Sequence, residues 1–157
     1  SACVGNIGSR QRFSYSAIGD TVNVAARIEA SARYLGYDVA ISDETQKGIR
    51  DMASLPAGRI NLKGKSERVA LHIVVGDEEV ASSPAFLRLQ SLHERLLDHI
   101  SKHGRALPID VDLCKEAAED VEVGLIGFYD RLAERAKDFE PSGKMTSGKD
   151  TTLTLIE

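Results

Sequence analysis

In the run Phe13-Ser14-Tyr15-Ser16-Ala17-Ile18-Gly19-Asp20-Thr21-Val22-Asn23-Val24-Ala25-Ala26-Arg27, an apolar strand-like segment ends in a glycine turn and a helical pattern begins. Asn23 and Arg27 stand four residues apart, which on a helix places both side chains on one face. An amide and a guanidinium so placed, near the positive end of the helix dipole, present a fork of hydrogen-bond donors that suits a sugar phosphate. Pairs of this kind also decorate solvated helix faces with no chemical role, so spacing alone does not make them a site. Three other groupings carry less. His99 and His103 have the i, i+4 spacing that lets two imidazoles share a metal, but no third ligand accompanies them. The segment Gly143-Lys144-Met145-Thr146-Ser147-Gly148-Lys149-Asp150 nearly matches a phosphate-binding loop. Asp150, however, stands where Ser or Thr must reach magnesium, and no apolar strand precedes Gly143. The basic residues between Lys63 and Arg68 lack interleaved aromatics and sit in an acidic chain, a poor basis for binding nucleic acid.

The elements that must hold the Asn23–Arg27 pair are readable from periodicity. Val4 to Ile7 and Phe13 to Ile18 read as a β-hairpin around Gly8, Ser9, Arg10 and Gln11. Asp20 is expected to cap a helix whose stripe runs through Val22, Ala25, Ala26, Glu29, Ala32 and Leu35 and which Gly36 ends. Tyr37 to Ile41 reads as a strand, and Ser42-Asp43-Glu44 caps a helix of about two turns reaching Arg50. Gly58 to Lys63 and Arg68 to Val75 are two further strands. The first half is therefore α/β. From Pro84 to Lys102, Phe86, Leu89, Leu92, Leu96, Leu97 and Ile100 recur at helical spacing. The series Val111, Cys114, Ala117, Val121, Leu125, Phe128, Leu132 and Ala136 predicts a second helix of about seven turns up to Asp138. Joined through Gly104 to Pro108, the two form a helical hairpin whose buried partner the stripes do not specify. The organisation expected is 1–76 as an α/β unit, 77–140 as a helical extension and 141–157 as a disordered tail.

Length and composition bound the rest. At 157 residues the chain is one domain with a possible appendix, large enough to bury roughly 70% of the surface its unfolded chain exposes. Thirteen Gly, four Pro and two Cys exclude collagen-like, low-complexity and disulfide-scaffold classes. Cys3 and Cys114 read as reduced thiols in a cytosolic setting. No apolar run approaches the roughly 20 residues that cross a bilayer, so no membrane contact is expected from this segment. The chain opens at Ser1 with no initiator Met and no signal-peptide pattern, and is read as a piece of a longer protein. Its net charge of −4 is uneven: residues 1–75 hold 10 Lys and Arg against 7 Asp and Glu, and residues 76–157 hold 10 against 17. An anionic ligand favours the first half.

Taken together, Gly19-Asp20-Thr21-Val22-Asn23-Val24-Ala25-Ala26-Arg27, the preceding Val4-Gly5-Asn6-Ile7-Gly8-Ser9 and Tyr15-Ser16-Ala17-Ile18, and the later Ile60-Asn61-Leu62-Lys63-Gly64-Lys65 closely resemble the class III nucleotide cyclases, most of all the bacterial adenylate cyclases. The resemblance covers residues 1 to about 76. It implies an α+β, ferredoxin-like cyclase half-domain, followed here by the helical hairpin. It also implies roles. The Asn matching Asn23 orients the ribose, and the Arg matching Arg27 stabilises charge on the α-phosphate as the 3′-oxygen attacks. The lysine matching Lys63 binds the triphosphate, and the position matching Ser16 touches the purine edge. Relatives making cyclic GMP usually carry Cys there, whereas Asp, Thr or Ser go with cyclic AMP, since their oxygen can accept from the adenine amino group. Apart from the resemblance, Ser16 is an ordinary strand hydroxyl and Lys63 a turn lysine.

The same resemblance implies conversion of ATP to cyclic AMP and pyrophosphate by a lyase of intracellular signalling. Its location is cytoplasmic, either free or as the cytoplasmic part of a membrane-anchored parent. Family active sites form between two catalytic domains, so a homodimer or a second cyclase domain is the implied partner, besides ATP. The implied cofactor is Mg2+ or Mn2+, whose two aspartate ligands belong, with the purine-reading lysine, to a half-domain preceding this chain; no metal ligand is assigned within it. The chain alone is accordingly expected to be inactive. The alternative reading is a non-catalytic cyclase-like module that binds a nucleotide or a regulatory partner.

Overall fold

The computed structural model describes residues 2–9, 12–49, 51–60, 68–137 and 154–156. Strands β1 (Cys3–Ser9) and β2 (Arg12–Ile18) form the expected antiparallel hairpin, with Cys3 opposite Ile18 and Ser9 opposite Arg12. Helix α1 (Asp20–Leu35) follows at once. A second sheet holds β3 (Ala40–Ser42), β4 (Ala53–Ile60), β5 (Val69–Gly76) and β6 (Thr154–Ile156) in the order β3-β5-β4-β6, and α2 (Asp43–Gly48) links β3 to β4. The chain is α+β: small sheets with helices, then the helical C-terminal part α3 (Glu78–Ser82), α4 (Pro84–His103), α5 (Pro108–Asp120) and α6 (Ile126–Ala136).

Local chemistry explains most boundaries. Ser42 and Ser83 accept from the backbone N–H of Thr45 and Phe86, satisfying donors that α2 and α4 would otherwise leave open, and Pro84 adds a preset φ in the first turn of α4. Gly36 and Gly104 end α1 and α4 in the left-handed conformation. Strand β4 begins at Ala53, earlier than the expected Gly58, because the chain accommodates Pro56 beside a bulge. There the ladder with β5 slips between Pro56 and Gly58, so Ala57 and Gly58 are buried in succession and Gly58 takes φ 114°.

The expected helical hairpin is corrected in its second arm. Instead of one helix from Val111 to Asp138, α5 stops at Asp120 and α6 restarts at Ile126. Glu122 turns left-handed at φ 59°, and its N–H and that of Val123 bond the carbonyls of Glu119 and Ala118. These are the two bonds of a Schellman stop, here without the usual glycine, and Val123 packs on the core that buries Ala118. The break lets α6 turn back towards α1. Within the segment expected to be a disordered tail, Thr154–Ile156 pairs in parallel with β4; the remainder of that segment lies outside the described residues.

One hydrophobic core joins the two halves. Leu55 and Ile73 of the sheet, Leu89, Leu96 and Ile100 of α4, and Leu125 and Tyr129 beyond them are fully buried in a single cluster that also takes Ile28 and Leu35 of α1. Each fully buried Leu or Ile contributes roughly 2 kcal/mol. The ion pairs Arg88–Asp120 and Arg95–Asp110 between α4 and α5 contribute less, at most about 1 kcal/mol each where exposed. The helices therefore stay on the sheet by apolar packing, and Leu89→Ala would cost about 2–5 kcal/mol.

Candidate active-site helix

Helix α1 carries the candidate pair. Its N-cap is Gly19, in nearly extended backbone, whose carbonyl accepts from the N–H of Val22 at 3.1 Å and of Asn23 at 3.2 Å. The expectation that Asp20 is the cap is thus corrected: Asp20 is the first helical residue, no side chain caps the start, and its carboxylate complements the dipole from the first turn. The buried face consists of Ile28, Ser31, Ala32 and Leu35, with Val24 packed beside them; Ala25 and Ala26, expected in the stripe, are exposed. At 3.6 residues per turn, Asn23 and Arg27 are turned roughly 80–120° from the middle of that face. Both are exposed, on one side of the helix. Ser31 Oγ donates to the Arg27 carbonyl at 2.8 Å, holding the backbone beneath the guanidinium.

Of the four residues singled out by sequence, three are described. Ser16 is half-buried on β2, opposite Gly5, on the strand that runs through the Gly19 bend into α1. Asn23 and Arg27 share their helix face one turn apart. Lys63 lies outside the described residues. Chemically, the described part offers an amide and a permanent cation on an accessible surface at a helix start, able to hold a hydroxyl and an anionic oxygen side by side. No three His, Cys, Asp or Glu side chains converge among the described residues, so these supply no ligand set for the divalent ion that the resemblance implies. His99 and His103 lie tilted against each other at 4.4 Å between ring centroids, and no third ligand joins them among the described residues.

A second polar cluster went unread in the sequence. His93, fully buried in α4, bonds the Pro56 carbonyl of β4 through Nε2 at 2.8 Å and Tyr129 of α6 through Nδ1 at 3.3 Å. Since a carbonyl only accepts, Nε2 carries the proton and the Tyr129 hydroxyl donates to Nδ1. The buried Cys114 thiol of α5 lies beside the Tyr129 oxygen. Burial pushes the imidazole down to about 4, against the upward pull of the Pro56 carbonyl. It also lifts the Cys114 thiol to about 11 and raises the Tyr129 hydroxyl. All three stay neutral and unreactive, a polar lock among four elements. A signal existed: His93 stands four residues after Leu89 and three before Leu96, in the apolar stripe.

Comparison with known proteins accords with the residue pattern. No known family profile matches the chain. It is 38% identical over 76 residues to Adenylate cyclase 1 of Rhizobium meliloti (strain 1021). That stretch is 48% of this chain and only 11% of the relative, so the chain spans about a tenth of the protein it matches. About half of this chain is thus similar to part of a cyclase, a likeness that points to a cyclase-related family.

Proposed function

We propose that this chain supplies the ribose- and phosphate-binding side of an adenylate cyclase site. The observation that carries the reading is the exposed Asn23–Arg27 pair behind the Gly19 bend, in a chain 38% identical over 76 residues to a rhizobial adenylate cyclase. In the proposed reaction the 3′-oxygen of ATP gives up its proton and attacks the α-phosphorus. The bond to the β-phosphate oxygen breaks, and cyclic AMP and pyrophosphate leave. Asn23 orients the ribose through its amide, and Arg27 places positive charge where negative charge develops on the α-phosphate. A single preorganised donor of this kind is worth about 100- to 1,000-fold in rate. Lys63 holds the triphosphate and Ser16 accepts from the adenine amino group. Mg2+ or Mn2+ comes with residues of the preceding half-domain, and a second catalytic domain, in a homodimer or a heterologous pair, completes the site.

A cyclic AMP assay with manganese, run on this chain joined to its upstream half and on the 157-residue chain alone, tests the reading. Product from the longer protein only is expected. Nucleotide binding without any product would reassign the chain as a non-catalytic nucleotide-binding module. Ser16→Cys, made together with its upstream purine-contacting partner, is expected to move preference towards GTP; an unmoved ATP-to-GTP ratio would remove Ser16 from purine recognition.

A further inference from the structure

We infer that the C-terminal helices set the position of the site helix, through a backbone contact between Gly36 at the end of α1 and Gly127 in the first turn of α6. The inference rests on the proposed role of Asn23 and Arg27 and adds a control on it. At this joint no side chain separates the two backbone segments. A β-carbon built on Gly36 would lie 2.7 Å from the Gly127 carbonyl oxygen and 2.8 Å from Cδ of Arg131, whereas one on Gly127 would sit 3.5 Å from the Gly36 oxygen. Beyond the joint, Leu35 and Tyr34 of α1 face Phe128 and Leu132 of α6 across a shallow depression floored by Ala57 of β4. Leu35, Phe128 and Leu132 are buried in the common core.

Helix α1 is packed against β3 and α6 and touches β2 only at its start, so α6 is one of its two main supports. Arg27 and Gly36 are nine residues apart, about 14 Å of continuous helix. A helix of that length moves as a rod. A shift of α6 at Gly127 is therefore carried to the guanidinium. A misplacement of about 1 Å can cost about 100-fold in a positioned reaction. Apolar packing holds α6 in the common core, and the His93–Tyr129 bond to α4 and the Lys115–Asp130 pair to α5, with Arg95–Asp110 between α4 and α5, link the three helices. Whatever displaces these helices displaces Asn23 and Arg27.

Native-state hydrogen exchange on the whole 157-residue chain tests the coupling. Gly127→Ala is the matched control, since its methyl fits at 3.5 Å; Gly127→Val adds two γ-methyls at the contact. The expected result is that α1 amides from Arg27 to Leu35 exchange at least about 10-fold faster in the valine variant than in the alanine variant, with β5 amides unchanged. An α1-to-β5 rate ratio equal in the two variants overturns the inference. Should the valine variant fail to fold, Leu132→Ala, which empties space above Leu35, is read by the same ratio against the unsubstituted chain, with the same two outcomes. Exchange is measured without substrate, so a failed cyclic AMP assay would leave this result standing, and an unmoved α1 would refute the coupling even with turnover intact.

Discussion

Acid should loosen this protein in part through a buried imidazole. His93 is neutral in the fold, with its imidazole held down to about 4 by burial, and in the unfolded chain it titrates at the ordinary value of 6.5. Between these values the unfolded state binds the additional proton, so stability rises with pH across the window. The contribution is complete above 6.5 and is lost as pH falls towards 4. The gap of about 2.5 units corresponds to about 3 kcal/mol, a large share of the 5–15 kcal/mol that holds a domain folded. Urea unfolding from pH 7.5 to 4.5 at fixed ionic strength measures it, with His93→Gln as the reference that keeps a donor towards Pro56 but does not titrate. The unsubstituted protein should lose about 2–3 kcal/mol more than the glutamine variant between these pH values. Parallel pH dependence in the two proteins would refute the assignment of His93 as a buried neutral group and, with it, the lock among α4, α6 and β4.

Other outcomes follow from the same structure. On the proposed reading, Arg27→Ala in the chain extended by its upstream half should lower cyclic AMP formation at least about 100-fold while the circular dichroism spectrum stays put, because Arg27 is exposed and would act there by charge. Unchanged turnover would take Arg27 out of the mechanism. Gly36→Ala should cost at least about 2 kcal/mol in urea unfolding, since the residue sits at φ 71° and a methyl there meets the Gly127 backbone; a loss below about 0.5 kcal/mol would contradict that contact. An aromatic disulfide reagent at pH 8 should modify exposed Cys3 quickly and Cys114 only on unfolding, because burial holds the Cys114 thiol up at about 11. Two equally fast thiols would show that the α5–α6 seam opens freely.

Much of the local structure was legible in the residues themselves. Ser42, Gly36 and the Pro84 start act within one helical turn, and the β1–β2 hairpin joins two neighbouring segments across a short turn. The i, i+4 placement of Asn23 and Arg27 is likewise a local fact, and the fold leaves both exposed. The apolar stripe of α4 also stood in the sequence, with His93 hidden in it because one histidine among leucines looks the same whether it faces water or a carbonyl.

What tertiary structure alone decided is where those faces went. A stripe tells that a helix buries one side, never against what. The packing of α4 to α6 on the β4–β5 sheet and on α1, the left-handed stop at Glu122 that splits one long periodic run in two, and the pairing of Thr154–Ile156 with β4 all depend on partners distant along the chain. The physical reason is range. Caps, turns and helical periodicity are settled by hydrogen bonds and sterics among neighbours a few residues apart, whereas burial depends on which apolar surfaces meet, and a β-carbon missing at both Gly36 and Gly127 acquires meaning only where the two backbones touch.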